Sequence, residues 1–207
     1  MNRTILKTLL AGAALAAIIA VCYLYLDQPA SEAAHALGPH WRQLAKNVSL
    51  AANGSLFTFL LALGFVFAAM DALRNGLTPR SRHLLYLCTA VAAAIFAGDV
   101  LKELCGRARP PLWFEKGEYG FFPLAGDYLH ASFPSGHSLR IFSAMTGLGL
   151  VLPALRYPAL LLAVAVGVAR VVALRHYPSD VLAGAFIGVT AALWGWRILY
   201  PYGRRAD

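Results

Sequence analysis

Three short clusters hold most of the residues in this chain that could do chemistry: Lys102-x6-Arg109-Pro110, Pro134-Ser135-Gly136-His137 and Arg170-x5-His176-x3-Asp180. Between them they bring together cations, two imidazoles, a carboxylate and a glycine-bearing turn. A phosphoryl group in transfer spreads negative charge over its equatorial oxygens, so it needs fixed cations and hydrogen-bond donors around it. Lys102, Arg109 and Arg170 supply the charge, the two arginines as planar forks. The turn at Pro134–His137 directly precedes an apolar run, and so aims backbone N–H groups and the positive end of a helix dipole at an anion. Gly136 lets that backbone come close, and the Ser135 hydroxyl adds a donor. His137 then opens the helix, placed to protonate a leaving oxygen. His176 comes just before Pro178, a helix-starting residue. Asp180, four residues on, can accept from one ring nitrogen and leave the other as a nucleophile. Taken singly, each cation reads as an interfacial side chain, Ser135 as a plain helix cap, and either histidine as structural. The combination is what points to phosphoryl transfer through a covalent intermediate.

The elements that must position these groups are membrane helices. The chain has 207 residues, enough for one domain, and is 59% hydrophobic and only 14% charged, which excludes an ordinary soluble domain. Six apolar runs approach the roughly 20 residues that a helix needs to cross the hydrocarbon, near 5–26, 51–70, 84–101, 138–155, 158–174 and 180–199. The first could be a signal peptide after Arg3 and Lys7, but its apolar core is longer than such segments use, so an anchor is expected. The third to fifth runs carry Asp99, Lys102, Arg140 and Arg170 at their ends, and charge at membrane depth usually serves a function. The expected architecture is an all-α polytopic membrane bundle of about six helices, a single domain over 1–207 with the three clusters inside 102–180. Setting aside Lys102, Arg109 and Arg170, Lys and Arg are in excess on the side that holds both termini, Arg204 and Arg205 included. Both termini are therefore expected in the cytoplasm and the clusters on the outer face.

The net charge of +8 could indicate nucleic acid, but the cations are spread over membrane-flanking loops with no basic tail, so anionic lipid head groups are the expected partners. Cys22, Cys88 and Cys105 show no metal or redox spacing. A Cys22–Cys105 disulfide is conceivable, with small buried thiols the preferred reading. Residues 27–50, with Trp41, are expected to form an outer loop with a short interfacial helix. Residues 103–137 are expected to be irregular, broken by Pro110, Pro111, Gly117, Gly120, Pro123 and Gly126. Trp113, Phe114, Phe121 and Phe122 in that loop suit either an interfacial aromatic belt or a lip guiding a lipid chain.

The three clusters resemble the motif of the type 2 phosphatidic acid phosphatase family, whose fold is shared with vanadium-dependent haloperoxidases. That motif reads Lys-x6-Arg-Pro, Pro-Ser-Gly-His and Ser-Arg-x5-His-x3-Asp. This chain matches every position but one, with Ala169 standing where the family has Ser. The resemblance covers about 84–199. It implies His176 as the nucleophile that forms a phosphohistidine, Asp180 as its orienting partner and His137 as general acid. Lys102, Arg109, Ser135, Gly136 and Arg170 would bind the phosphate, with no metal and no cofactor. Ala169 removes a hydroxyl and is expected to weaken one phosphate contact. Arg140 lies three residues after His137, on nearly the same helix face, and is expected to touch the head group beyond the motif.

The expected function is metal-independent hydrolysis of a terminal phosphate or diphosphate of a membrane lipid at the outer face of an inner membrane. Undecaprenyl diphosphate, phosphatidate, phosphatidylglycerophosphate and lipid A phosphates all fit. The rival readings are a non-catalytic lipid carrier or scaffold with an anion site, and the same fold acting on a soluble phosphate ester. Oligomeric state is not legible in the sequence.

Overall fold

The computed structural model describes residues 3–200; the remaining termini of the expected domain, including Arg204 and Arg205, lie outside the described residues. In hydrocarbon the backbone must satisfy its own hydrogen bonds, so the apolar runs become helices. Helix α1 (Arg3–Val21) continues through a π-helical turn, Cys22–Leu26, into α2 (Asp27–Ala36). Helix α3 (Gly38–Ser49) leads through a 3-10 turn into α4 (Gly54–Asn75). Then follow α5 (Pro79–Cys105), the short α6 (Pro110–Lys116), α7 (Gly136–Val151), α8 (Arg156–Val172) and α9 (Pro178–Leu199). Among the described residues there is no strand, only an isolated bridge between Arg107 and Phe121.

Local chemistry sets the boundaries. Asn53 Oδ1 caps α4 by accepting from the N–H groups of Ser55 and Leu56 at 2.9 and 3.3 Å. Thr78 caps α5 ahead of Pro79, and Pro178 occupies the first turn of α9. Gly106 ends α5 in the left-handed region at φ 57°, where a Cβ would lie 1.7 Å from the Phe122 carbonyl oxygen. Only glycine fits there.

Five of the six expected spans are carried by helices long and apolar enough to cross a membrane among the described residues. The sixth, α7, has only 16 residues, because Leu152 and Pro153 end it early. It packs against α5, α8 and α9 and forms the centre of the bundle. Glycines on α9 allow that approach: a Cβ on Gly184 would stand 2.6 Å from the Ser135 carbonyl oxygen, and one on Gly188 would stand 2.5 Å from that of Leu139. This small-x3-small spacing brings two membrane helices to backbone contact. Val91, Ile141, Val166 and Phe57 fill the interior around it, while Leu10, Leu24, Phe59, Phe96 and Leu161 stay exposed on the outside, as a lipid-facing bundle requires.

Two expectations are revised. Residues 27–50 form two helices, α2 and α3, separated by a turn at Leu37, rather than a loop with one short interfacial helix, and Asp27 at the start of α2 is held inside by a buried ion pair described below. The 103–137 segment contains α6 and a 3-10 turn at Tyr128–His130, between irregular stretches. All three thiols are free; Cys22 and Cys88 are buried, as the small-thiol reading expects, and Cys105 is half-buried.

Candidate active site

The helices alternate in direction, so one end of the bundle collects the end of α5 with Lys102, the start of α7 with Ser135–His137, the end of α8 with Arg170 and the start of α9 with Asp180. The opposite end holds the start of α1 and the end of α9, where Arg197 donates to the Thr4 hydroxyl. All three clusters thus meet at one end.

His176 sits in the turn between α8 and α9. Leu174 enters the left-handed region there (φ 53°), which swings the chain back toward the bundle. The imidazole is buried, 2% exposed. Its Nδ1 donates to the Ser132 carbonyl at 2.8 Å, and Asp180 Oδ2 stands farther off at 3.7 Å. The expected Asp180 hydrogen bond is thus replaced by a backbone one. The reason is that Asp180 is already fully engaged: Oδ2 accepts from Ser132 Oγ and the Tyr177 N–H at 2.7 and 2.8 Å, and Oδ1 accepts from Arg107 at 2.5 Å. Either way Nδ1 carries the proton and Nε2 keeps a lone pair, which lies 3.5 Å from Arg109 Nη1. Burial, with the charges of Arg109 and Arg170 adding to it, pushes the imidazole from its ordinary 6.5 down to about 3, against the opposing pull of Asp180. The ring is therefore neutral at physiological pH.

Arg109 is clamped by carbonyls. Its Nε donates to Tyr128 at 2.8 Å, Nη2 to Ala131 at 2.9 Å and Nη1 to Arg175 at 3.0 Å, with the Tyr128 ring 4.2 Å from the guanidinium carbon. The segment that supplies two of these carbonyls is pinned in turn by His130, held between Asp127 and Glu118. Arg170 differs. It is 7% exposed, yet none of its side-chain N–H groups is given to a protein acceptor among the described residues, and its Nε is fully enclosed. A buried cation without a partner is costly, and an anion at its fork would offset that cost.

The α7 N-terminus faces the same end. Ser135 is fully buried and caps the helix, accepting from the Ser138 N–H at 3.4 Å and from the Ser138 hydroxyl at 3.0 Å. Its own N–H goes to the Asp180 carbonyl at 3.0 Å, so the donors left in this turn are those of Gly136 and His137. Lys102 Nζ and Arg140 Nη1 both border Gly136, at 3.1 and 3.4 Å from the position of a Cβ there. Lys102 is paired with Asp99 at 2.7 Å, as its one-turn spacing leads one to expect. Arg140 donates to the Ala52 carbonyl at 3.2 Å, and its Nη2 lies 3.4 Å from His137 Nδ1. Ala169 packs with Ala45 of α3 and with Ala173.

The sequence reading missed a buried network behind the site. Arg107, fully buried, donates from Nη1 to Asp180 Oδ1 at 2.5 Å and to Ser179 Oγ at 2.6 Å, and from Nη2 to Asp27 Oδ2 at 2.7 Å. Asp27 Oδ1 also accepts from the Ser179 N–H at 3.0 Å. Burial opposes the Arg107 charge, but Asp180 and Asp27 outweigh it and raise its pKa, so the guanidinium stays charged. One signal could have found the pair: Asp27 closes a long apolar run, and a carboxylate at such depth needs a cation.

The resemblance in the motifs extends to the second half of the chain. The chain belongs to the PAP2 superfamily, whose family model matches residues 83–204. It is 37% identical over 103 residues to a lipid A 1-phosphatase of Rhizobium etli, covering 50% of this chain and 44% of that protein. It is 31% identical over 140 residues to the bacitracin transport permease protein BcrC of Bacillus licheniformis, covering 66% of each. The chain thus spans less than half the length of the lipid A phosphatase it matches. The crystal structure of a transmembrane PAP2-type phosphatidylglycerolphosphate phosphatase from Bacillus subtilis superposes with a TM-score of 0.67 over 96% of this chain and 97% of that one, at 24% identity, so the fold is shared.

Proposed function

We propose that the protein is a phosphatase acting on the terminal phosphate of a membrane lipid. The observation that carries this reading is the unpartnered, buried guanidinium of Arg170 beside a neutral His176, facing the free N–H groups of the α7 turn. In the first step the Nε2 lone pair of His176 attacks phosphorus in line as the P–O bond to the lipid breaks. Burial and the charges of Arg170 and Arg140 keep His137 neutral in the empty site; the phosphate dianion offsets those charges, so His137 takes up a proton from solvent as the substrate binds and gives it to the departing oxygen. In the second step His137 takes a proton from water, whose oxygen attacks phosphorus, and the P–N bond breaks to return neutral His176 and free phosphate. Arg170, Arg109 and Lys102, with the N–H groups of Gly136 and His137, stabilise the charge on the equatorial oxygens in both steps. Asp180 acts through charge and through Ser132, whose backbone it helps to fix. Protein groups supply every role, so EDTA is expected to leave turnover unchanged.

Lipid rather than soluble substrate is supported by an open apolar groove of about 640 Å³ between α4 and α5, lined by Leu61, Ile95 and Phe96, with Lys102 at its edge. Exposed Phe114 on α6, with Phe121 and Phe122 on the irregular stretch after it, would serve as a lip. The names of the relatives, a lipid A 1-phosphatase and a phosphatidylglycerolphosphate phosphatase, support a phosphorylated lipid head group. The excess of Lys and Arg on the side of the termini supports both termini cytoplasmic and the site at the outer face, which in a bacterium would be that of the inner membrane. The test is phosphate release by purified protein in EDTA, comparing undecaprenyl diphosphate, phosphatidate, phosphatidylglycerophosphate and lipid A, each against His176→Ala. Release lost in the variant supports the reading. Release retained by His176→Ala, or none from any lipid, overturns it.

A further inference from the structure

Beside the site, on the far side of the His176 turn, lies a second cleft of about 660 Å³, within the usual size range of ligand pockets. Its walls are α2–α3, α6 and the turn between α8 and α9, and three cations point to it: Arg42, Lys46 and Arg175. None of the three is ion-paired among the described residues, and the one acid in the lining is the exposed Glu115. His35, stacked on Phe114 at 4.6 Å, closes one edge.

This concentration of charge is built into the packing. Arg42 and Lys46 are four residues apart, hence on one helix face, where like charges are mutually destabilising. Ala45, between them, seats α3 on Ala169 of α8 and on Ala173 just beyond its end, and both cations line the same cleft as Arg175. The fold thus gathers uncompensated positive charge in a recess, an arrangement an anion would relieve. The recess shares its walls with the candidate active site. Arg175 gives its carbonyl to Arg109, and the next residue is His176; Pro111 of the cleft follows Pro110 at the head of α6.

We propose that this cleft is a second anion subsite, which takes a phosphate group of a lipid head group while the scissile phosphate lies at His176. The phosphate comes either from the substrate itself, as in a sugar lipid carrying two separated phosphate monoesters, or from an anionic lipid of the surrounding bilayer. The choice of ligand rests on the lipid phosphatase reading; the cationic recess does not.

The test uses the full chain as His176→Ala in zwitterionic micelles, and measures dissociation constants for a disaccharide lipid with two phosphate monoesters and for the matched lipid with only one. The two-phosphate lipid is expected to bind about tenfold more tightly, the worth of one charge-assisted contact. That ratio should collapse toward one in Arg42→Glu with Lys46→Glu, and partly in Lys46→Glu alone. Thermal melts confirm that these half-exposed changes leave the fold intact. A second arm adds phosphatidylglycerol to the one-phosphate lipid: tighter binding that the same variants abolish assigns the anion to the bilayer. Equal affinities in the first arm with no phosphatidylglycerol effect in the second, or preferences untouched by the variants, overturn the subsite. Turnover is scored separately on the His176-intact protein. If it hydrolyses neither lipid while the affinity ratio holds, the hydrolase reading fails and the subsite stands.

Discussion

Replacing Arg107 with Met tests whether a buried charge network holds the site together. The side chains of Asp27, Arg107 and Asp180 are all fully enclosed, so the substitution strands two carboxylates where water cannot reach them. Breaking a buried pair by removing one partner costs about 3–5 kcal/mol, and because stranded carboxylates can take up protons the two losses do not simply add. Asp27→Asn is the control. It leaves the Arg107–Asp180 pair intact and the cluster electrically balanced, so its cost should stay near that of one weakened buried hydrogen bond, about 1–3 kcal/mol. In thermal unfolding of detergent-solubilised protein, the larger figure corresponds to a melting temperature lower by roughly 6–20 °C for a chain of this size. Arg107→Lys should fall between, because an ammonium lacks the fork that reaches both carboxylates. Phosphate release should fall in step with the loss of Asp180's anchor. If Arg107→Met melts no lower than Asp27→Asn, the network does not carry the stability assigned to it.

Three further outcomes follow from the geometry. Gly184→Ala places a Cβ 2.6 Å from the Ser135 carbonyl oxygen, so it should destabilise by about 1–3 kcal/mol and depress phosphate release by shifting the anion-binding turn, whereas Gly195→Ala, whose nearest neighbour is 3.5 Å away, should be tolerated in the same melting and release assays. His176 is held near pKa 3 against 6.5 when unfolded, so the unfolded chain binds the extra proton in that window: stability is fully present above about pH 6.5 and declines as pH falls toward 3, and His176→Asn should flatten that part of the melting-temperature profile. Ala169→Ser should change kcat/KM for a lipid phosphate by less than about twofold, because position 169 packs with Ala45 and Ala173; a large gain would put its hydroxyl in the site after all.

The residues of the site were legible because their chemistry is carried by side-chain type at short spacing: Lys102 and Arg109, Ser135 to His137, and Arg170 to Asp180 can each be read within a dozen positions. The bundle was legible because the apolar runs have membrane length. What escaped was set by tertiary contact. The Asp27–Arg107 pair joins residues 80 positions apart and anchors the start of α2, a segment expected to be a loop. The partner of His176 Nδ1 is a backbone carbonyl, which no residue type encodes, and Asp180 could be assigned to His176 only while its engagement by Arg107, Ser132 and Tyr177 was unknown. The shortness of α7 arises from Leu152 and Pro153 within a run whose composition reads as continuous.

The most direct measurement is rapid quenching of turnover with a lipid labelled in its terminal phosphate, followed by mapping of any label bound to protein. A phosphohistidine, stable to alkali and lost in acid, should appear on the peptide containing His176 and be absent from His176→Ala. Turnover at the normal rate with no label on that peptide would contradict the covalent mechanism and leave direct attack by water in its place.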